Sequence, residues 1–570
     1  MPSHFSSQLH TNYVPTDGER GEIQGLLVAP RSRLHEIEKQ IEELQAERAK
    51  LSTDIHAYEA LISPMRRLPA ELLQEIFVQC LPRERNPAMC ALEAPILLGR
   101  ICRHWRSLAL ATPALWARLH IAEPFTSYMI PVTSIAVRRA KLQQRADAAR
   151  AWLDRANEHP LSISFHQDAD SSILPVHMNE EPTHEDPDPK MMLLRLILRY
   201  AARWEKVDLA LPIIEDDALP VFEALNELTV ADVPLLKSFR LKATVWSNGD
   251  NTAWDSLELL RASQLTRLAV GFCGSISHLH KLPVSWERLT TLDLSEVTHA
   301  DISPAGVLGV LDKCTGLRSC TLEIPDSTLA FGAAAATVLP LNSTICPELR
   351  SLEFSGTFTL LSRMTCPQLQ HLSVGSRSPG TIIHELPDMP PYNDYLKHII
   401  SSTTSLETFR YRVLNAAENA DLAALLEFLP QTLRELHLSE SSGHPQIDDQ
   451  LIAKIGERGR FPRLETFTLR QCELLSSDGI AEYLANVKEM QSSSLRQLKV
   501  HFSTPVDDLE VDRLQSLAGE EMKVVIKGSR RGSQFSPYHG LRLTHAEAFQ
   551  IYGNDGFAPE DDEDFELGIV

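Results

Sequence analysis

Residues 433–438 read Leu-Arg-Glu-Leu-His-Leu, with leucine at the first, fourth and sixth positions and polar residues between them. The fourth and sixth positions are two apart, which places both side chains on one face of a short strand. The first leucine would anchor the turn that enters the strand. This hexad therefore predicts a strand with one buried face and one exposed face.

The same hexad recurs through most of the chain. Instances begin at Leu236, Leu265, Leu289, Leu317, Leu349, Leu369, Leu406, Leu433, Leu464 and Leu495, with a degenerate first member at Trp204. Chance would produce the strict pattern about twice in a chain of this length, and nine of these eleven hexads meet it. Their mean spacing of about 29 residues is typical of leucine-rich repeats, so we expect an α/β fold with an irregular solenoid of this kind.

The polar strand positions of a solenoid line its concave sheet, a surface suited to protein recognition. Near the C-terminal end of the repeats these positions hold Arg410, Arg412, His437, Arg470 and Lys499. One interpretation is a patch that binds an acidic or phosphorylated protein substrate, since these cations stand out against a net charge of −21. The other is a solvated strand face without a ligand.

Before the repeats, residues 31–62 contain neither proline nor glycine and are rich in strong helix formers, which predicts one long helix. Eight of nine heptad seam positions are apolar, and the exception is Arg48. The apolar seam residues are Leu34, Ile37, Ile41, Leu44, Leu51, Ile55, Tyr58 and Ile62. The seam is typical of a coiled coil that forms a homodimer, or of an amphipathic helix that docks on the next domain.

A helical module follows this helix. Leu72, Leu73, Ile76, Phe77 and Leu81 recur at helical spacing after Pro69, and a second run at the same spacing spans residues 97–109 before Pro113. Such apolar residues are usually core, so an ordinary small helical domain is one interpretation. Three helices bury little surface alone, however, and part of the apolar face is also expected to contact a partner.

These residues resemble the F-box, a three-helix motif with the signature Leu-Pro-x-Glu-Leu, here residues 68–72, then Ile-Phe, here 76–77, and Cys-x-x-Trp-Arg, here 102–106. The later residues 112–116 and 152–163 are similar to a layout found in F-box proteins of mushroom-forming fungi. The connection at residues 83–95 is longer than usual. The resemblance implies docking on the Skp adaptor of a cullin-RING ubiquitin ligase. The adaptor-binding residues would be Leu68, Pro69, Leu72, Ile76, Leu81 and Trp105.

Composition and charge disfavour several functional classes of protein. The net charge disfavours nucleic-acid and membrane binding, no apolar run approaches a membrane span, and the start lacks a signal-peptide profile. Nine scattered cysteines without a Cys-x-x-Cys pair fit a reduced compartment, so we expect a cytoplasmic or nuclear protein. Common catalytic signatures are absent, and we expect no enzyme activity, no cofactor and no metal. Cys273, His278 and His280 lack a fourth zinc ligand at a recognised spacing.

Residues 560–566 carry six acidic side chains in seven positions. They predict a solvated acidic tail, with binding to something basic as the alternative. The expected divisions are a disordered N-terminus at 1–30, the coiled-coil helix at 31–63, the F-box at 64–122, a helical linker and start of repeats at 123–200, the solenoid at 201–527 and the flexible tail at 528–570.

The sequence therefore predicts the substrate-recognition subunit of a Skp-cullin-F-box ubiquitin ligase. The F-box would bind the adaptor, and through it the cullin, while the solenoid would bind a protein substrate. The alternative is a repeat scaffold that mediates protein–protein interaction without any ligase.

Overall fold

A computed structural model defines the fold of the chain. It describes residues 5, 8, 11–62, 64–122, 135–166, 189–213, 218–245, 256–273, 279–295, 304–324, 343–356, 358–375, 392–412, 422–440, 446–457, 460–489, 494–503, 506, 508–518 and 522–528. The predicted tail at 528–570 thus falls almost entirely outside the described residues. The chain forms two compact units, Met1–Phe77 and Val78–Val570.

The first unit is dominated by helix α1 (Asp17–Ile62), which has 46 residues. Thr16 caps its start: the backbone N–H and hydroxyl of Thr16 donate to the Glu19 carboxylate at 2.8 and 2.7 Å. A threonine followed three residues later by glutamate is a strong helix-start signal. The helix consequently extends into residues 1–30, for which we expected disorder, and continues through Pro30 at the expense of one backbone hydrogen bond.

Helix α2 (Ala70–Gln79) follows a 3-10 turn at Pro64–Arg67. The Pro69 carbonyl accepts the first helical hydrogen bond, from the Leu73 N–H at 3.1 Å. The boundary between the two units falls in the last turn of this helix. Residues 64–122, expected to form one module, are therefore divided between the units.

The second unit contains a 14-stranded sheet whose strands pair in parallel and in chain order. The strands are β1 (Arg118–Ala122), β2 (Leu161–His166), β3 (Trp204–Ile213), β4 (Ser238–Val245), β5 (Arg267–Cys273), β6 (Thr291–Leu294), β7 (Ser319–Ile324), β9 (Ser351–Gly356), β11 (His371–Val374), β12 (Thr408–Arg412), β13 (Glu435–Ser439), β14 (Thr466–Cys472), β15 (Gln497–Phe502) and β16 (Lys523–Gly528). Two short strands, β8 (Thr344–Ile345) and β10 (Met364–Thr365), pair separately. The sheet begins at Arg118, inside the segment 64–122 that we assigned to the F-box and before 123–200, where we expected the repeats to start.

The segments between strands return the chain through helices and 3-10 turns. The helices are α3 (Leu98–Ile101), α4 (Arg103–Leu110), α5 (Ile135–Arg155), α6 (Pro189–Leu198), α7 (Ala218–Asn226), α8 (Pro304–Leu311), α9 (Tyr392–Ser401), α10 (Leu422–Phe428), α11 (Asp449–Ile455), α12 (Ser477–Glu489) and α13 (Asp508–Ala518). The 3-10 turns are Pro113–Trp116, Ala201–Arg203, Val230–Asp232, Glu258–Arg261, Leu279–Lys281, Trp286–Arg288 and Phe358–Arg363. This alternation makes the fold α/β.

The predicted register of the hexads is confirmed. Leu433, Leu436 and Leu438 are each 0% exposed, while His437 between them lies on the opposite face and is partly exposed. The first, fourth and sixth residues of the other ten hexads are likewise buried. Burying one leucine side chain contributes about 1.5–3 kcal/mol, so the hexads supply a continuous core along the sheet.

The run at residues 97–109, expected to be one helix, is broken at Cys102. Its backbone is extended, with φ −158° and ψ 169°, and separates α3 from α4. The Cys102 sulfur accepts a hydrogen bond from the Trp105 N–H at 3.4 Å and so caps α4. Helical spacing alone does not reveal this cap, because the apolar positions continue through it.

Segment 82–93 covers the β1 edge of the sheet. The His120 N–H donates to the Pro87 carbonyl at 2.8 Å, and Ala88 forms a parallel bridge with His120. The Arg118 guanidinium donates to the Pro82 carbonyl at 2.8 Å and also to the Arg85 carbonyl. The unusually long connection therefore protects an edge that would otherwise be open to pairing with another chain.

His120 makes this covered edge sensitive to pH. Its Nδ1 lies 2.9 Å from the Ser164 hydroxyl, and burial, followed by the charges of His166 and Arg85, lowers the pKa of His120. A histidine whose folded pKa lies below its unfolded value of about 6.5 destabilises the fold as pH falls through that value. We expect the melting temperature to fall between pH 7.5 and 5.5, and to fall less in His120→Gln. Equal losses in both proteins would contradict this role for His120.

Candidate protein-interaction surfaces

Helix α2 divides its apolar residues between two faces. Leu73 and Phe77 are 2% and 0% exposed, whereas Leu72 and Ile76 are 53% and 39% exposed. Leu72 and Ile76 are four residues apart and therefore lie one above the other on the same helix face. Leaving two such side chains in water forgoes several kcal/mol of hydrophobic burial. Leu72 and Ile76 therefore form an exposed apolar pair on a different face of α2 from the buried Leu73 and Phe77.

The other predicted adaptor-binding residues differ in exposure. Pro69 is exposed at the start of α2, and Leu68 and Trp105 are half-buried. Leu81 is only 7% exposed, because it belongs to the core of the second unit. Leu81 is therefore not available on the surface as an anchor for a partner, which corrects its assignment.

The second unit exposes two further apolar residues, in or directly after the run at residues 97–109. Ile101 in α3 is 57% exposed and Leu110 at the end of α4 is 46% exposed, although Leu98 and Ala109 in the same helices are buried. The break at Cys102 contributes to this arrangement, because it rotates α4 out of the helical phase of α3. An exposure difference of this kind is visible only in the structure.

The five cations predicted to bind substrate lie on one face of four neighbouring strands. Arg410 on β12 is in register with His437 on β13, and Lys499 on β15 is in register with Thr468 on β14. Ser439 separates Arg412 from Arg470 in the next row. These registers bring all five side chains together on the exposed side of the sheet.

Strand β16 adds two lysines to this face. Lys523 pairs in register with Gln497, and Lys527 pairs with His501. The sequence analysis missed this strand because its anchor position is Glu521 rather than leucine, although the alternation at residues 523–527 was a usable signal. We call the whole surface the basic strip. It comprises Arg410, Arg412, Arg470, Lys499, Lys523 and Lys527, together with His437 and His501.

On the described strands β12 to β16, Glu435 is the carboxylate that lies on the same face as the basic strip, and it contacts two neighbouring side chains. The Glu435 carboxylate accepts a hydrogen bond from the Thr408 hydroxyl at 3.3 Å and lies 3.6 Å from the His437 Nε2. Within the part of the chain that the structure describes, Arg410 and Lys499 form no ion pair. Arg410 and Lys499 are therefore the cations of the original five that have no carboxylate partner among the described residues.

In the N-terminal half of the same face, Arg240 is paired with carboxylates of its own face. Arg240 on β4 reaches Asp293 on β6 at 3.1 Å and Asp208 on β3 at 3.8 Å. Asp293 also accepts a hydrogen bond from the Ser295 N–H at 3.0 Å. Arg240 thus differs from Arg410 and Lys499 of the C-terminal strands, which form no ion pair with a described residue.

A buried carboxylate holds the strand ends beside the strip. Glu440, directly after β13, is 0% exposed and accepts hydrogen bonds from three backbone N–H groups, those of Gln446, Ile447 and Glu473. Burial raises the pKa of Glu440, and these three hydrogen bonds oppose that shift. The contacts join the ends of β13 and β14 and thereby fix the backbone around Arg470.

Two buried thiols of the second unit, those of Cys314 and Cys320, are not suited to act as nucleophiles. Burial raises the pKa of Cys314 to about 12 and that of Cys320 well above its ordinary value. A nucleophilic cysteine needs a lowered pKa and access to substrate. Both residues therefore serve as small core residues. Cys320 is the fourth residue of a hexad, and Cys314 lies in the segment before it.

Among the described residues, no three His, Cys, Asp or Glu side chains are grouped to hold a metal ion. His278, one of the weak zinc candidates, lies outside the described residues. None of the helices in the described ranges is long and apolar enough to cross a membrane.

No protein-family model and no curated protein matches this chain. The described residues offer two candidate interaction surfaces, the exposed apolar face of α2 and the basic strip.

Proposed function

We propose that this chain is the substrate-recognition subunit of a Skp-cullin-F-box ubiquitin ligase. The observation that carries the proposal is the exposure of Leu72 and Ile76 on a helix whose neighbouring Leu73 and Phe77 are fully buried. Pro69 is exposed directly before the same helix. These residues occupy the positions at which the resemblance to the F-box expects adaptor contacts, with Leu81 excluded.

In this proposal the second unit is an irregular leucine-rich-repeat-like solenoid that binds a protein substrate. The parallel strands in chain order, with hexad residues buried on one side, support that interpretation. The polar face of the strands then presents side chains from many repeats to one extended ligand. Arg410, Arg412, His437, Arg470 and Lys499 form part of this substrate-binding face.

In this proposal the chain binds the adaptor and the substrate, and it does not itself catalyse ubiquitin transfer. An apolar adaptor contact through α2 would connect it to the cullin, and the catalytic subunits of the ligase would transfer ubiquitin. A substrate bound on the strand face would be held near those subunits, which raises its effective concentration. We propose the cytoplasm or nucleus as the compartment.

Affinity purification of the tagged full chain from cells tests the proposal. We expect Skp adaptor and cullin peptides among the captured proteins, identified by mass spectrometry. Capture of other partners without adaptor or cullin would favour the alternative, a repeat scaffold outside any ligase.

A homodimer is the second proposal, and α1 supports it. Its apolar seam is exposed along the whole length, from 38% at Ile37 to 72% at Ile62. A seam with apolar residues at eight of nine positions is suited to pairing with a second copy of the same helix. This proposal is compatible with either the ligase or the scaffold.

Lysine at Leu44 and Ile55 together should convert the full chain from dimer to monomer at tens of micromolar. Each change places a charge at a seam position that pairing would bury. Analytical ultracentrifugation measures the mass. Ala46→Lys with Thr53→Lys is the matched control, since it adds the same charge outside the seam. A wild-type chain that sediments as a monomer would contradict the homodimer proposal.

A further inference from the structure

Three cysteines occupy the same position in three consecutive repeats. Cys314, Cys346 and Cys366 each lie three residues before the first leucine of the hexad that follows. Their exposed fractions are 1%, 2% and 0%, and all three are free thiols. Equivalent positions of consecutive repeats stack on one another in a parallel fold. The repeat pattern and the burial therefore place a short column of thiols inside the second unit.

Backbone pairing aligns Cys346 with Cys366. Strands β8 and β10 pair in parallel, with Ile345 opposite Thr365. The Cys346 N–H donates to the Thr365 carbonyl at 2.9 Å, so the ladder continues to the two cysteines. Neighbouring strands are about 4.8 Å apart. This spacing falls within the range of about 4.4–6.8 Å that a disulfide spans between Cα atoms. The backbone therefore suits a disulfide between Cys346 and Cys366.

The two thiols differ in how readily they lose a proton. A hydrogen bond between them, donated by the Cys366 thiol, lowers the pKa of Cys346 and raises that of Cys366. By contrast, burial raises the pKa of Cys314 to about 12. The thiolate is the form of cysteine that attacks a peroxide. Cys346 is therefore the nucleophile of the pair, and Cys366 is the resolving thiol.

A small local opening is enough to give a peroxide access to the pair. The β8–β10 ladder contains two residue pairs, whereas the neighbouring β9–β11 ladder of the large sheet contains four. Ile345, directly before Cys346, is 62% exposed, so this strand lies at the surface of the second unit. Short surface ladders open at a lower free energy than the core of a large sheet. Cys346 can thus be reached without unfolding of the second unit.

We propose that Cys346 and Cys366 are a redox modification site, at which a peroxide converts the two thiols into a reversible disulfide. The Cys346 thiolate attacks one oxygen of hydrogen peroxide and displaces hydroxide, which gives a sulfenic acid at Cys346. The Cys366 sulfur then attacks the Cys346 sulfur, and the Cys366 proton leaves with the sulfenic hydroxyl as water. In total, two thiols and one hydrogen peroxide give one disulfide and two waters. The sulfurs are oxidised and the peroxide oxygens are reduced, and a dithiol reductant reverses the change.

The disulfide joins the segments on both sides of β9. It closes a loop from residue 346 to residue 366 that contains β9 and the 3-10 turn Phe358–Arg363. A cross-link disfavours the open state of the β8–β10 ladder, because it constrains the opened chain. Oxidation therefore stabilises the middle of the second unit against local opening. This inference is independent of adaptor binding through α2 and of the proposed ligase function.

Peptide mapping of the oxidised full chain tests the site. The reduced protein is treated with hydrogen peroxide, alkylated with N-ethylmaleimide in denaturant and digested with trypsin and Glu-C without reductant. This digest places Cys314, Cys320, Cys346 and Cys366 on four separate peptides. We expect the Cys346–Cys366 pair as the main disulfide among these peptides, and its loss after dithiothreitol. Hydrogen exchange of the amides at 344–346 should slow at least about tenfold on oxidation.

Alanine variants of the full chain assign the two roles. In Cys366→Ala, the Cys346 sulfur should accumulate as sulfenic or sulfinic acid, because no resolving thiol is present. In Cys346→Ala, Cys366 should oxidise at least about tenfold more slowly than Cys346 does in the first variant. Cys472→Ala is the matched control and should leave the disulfide unchanged, since Cys472 is likewise buried, at 1% exposed, but lies on β14.

Three outcomes of the wild-type mapping would overturn the proposal, whether or not a variant folds. The first is oxidation of an exposed thiol such as Cys80 with no Cys346–Cys366 disulfide at the same peroxide concentration. The second is a disulfide that joins Cys346 to a thiol other than Cys366. The third is a disulfide that forms only when the chain is oxidised in denaturant, because such a bond would not belong to the folded protein.

Discussion

Replacing both Leu72 and Ile76 by aspartate should abolish capture of the Skp adaptor by the full chain. Both side chains are exposed on one face of α2, so the change places two charges where the proposed contact buries apolar surface. Removal of one interface anchor typically costs at least about 2 kcal/mol. The double variant should therefore bind the adaptor at least about a thousandfold more weakly.

A matched control separates this effect from general damage. Leu474 and Leu509 are 56% and 76% exposed, and both lie in the C-terminal part of the second unit. Leu474→Asp with Leu509→Asp introduces the same charge away from α2 and should capture adaptor normally. Both double variants should melt like the wild type. Wild-type capture by Leu72→Asp with Ile76→Asp would contradict the F-box assignment of this region.

Truncating Leu436 to alanine should destabilise the sheet by about 2–5 kcal/mol, because it opens a cavity in the core. His437, the next residue, lies on the other face of the same strand, and His437→Ala should cost less than about 1 kcal/mol. Chemical denaturation of the full chain measures both changes, with hydrogen exchange in β12 to β14 as the local readout. Equal effects at the two positions would contradict the strand register.

The same comparison of an inward and an outward strand residue can be made at Leu292 and Asp293, but the expected difference in stability is smaller. Leu292→Ala should again cost about 2–5 kcal/mol, since Leu292 is 0% exposed. Asp293, however, bonds Arg240 across the sheet and the Ser295 N–H, so Asp293→Ala removes contacts as well as a side chain. An outward-facing strand residue can therefore also contribute to stability through its contacts.

The hexads predicted the strands because burial of alternate residues imposes a period of two on the sequence. Three strands of the 14-stranded sheet lie outside the leucine hexads, since their anchor positions hold Trp116, Pro160 and Glu521 instead of leucine, although residues 161–165 of the second of them alternate in the sequence. Trp116 fills its anchor position well: it is 5% exposed, and its indole N–H donates to the Ala109 carbonyl at 2.9 Å. The fold therefore accepts a different residue at the anchor position, but a pattern that requires leucine there does not detect such a strand.

The helical region was less predictable for two local reasons. The start of α1 depends on the Thr16–Glu19 pair, and the break before α4 depends on one extended residue, Cys102. Neither changes the spacing of apolar residues. The adjacent apolar pairs of α2, at 72–73 and 76–77, span both of its faces, so spacing could not show which member of each pair is exposed.

The basic strip was predictable in part. The alternation identified Arg410 and Lys499 as outward strand residues, because the hexads fixed the face of each strand. Their proximity depends on strand register, and the charge distribution depends on where carboxylates such as Asp293 lie. Sequence spacing predicts neither the register nor the charge distribution, because both depend on how the segments between strands align neighbouring strands.

Direct binding of the purified full chain to purified Skp adaptor, measured by isothermal titration calorimetry, tests the central claim. We expect one adaptor per chain with submicromolar affinity, as a desolvated apolar contact with two or more anchors supports. The heat-capacity change should be negative because apolar surface is buried. Absence of binding at tens of micromolar adaptor would contradict the proposed function.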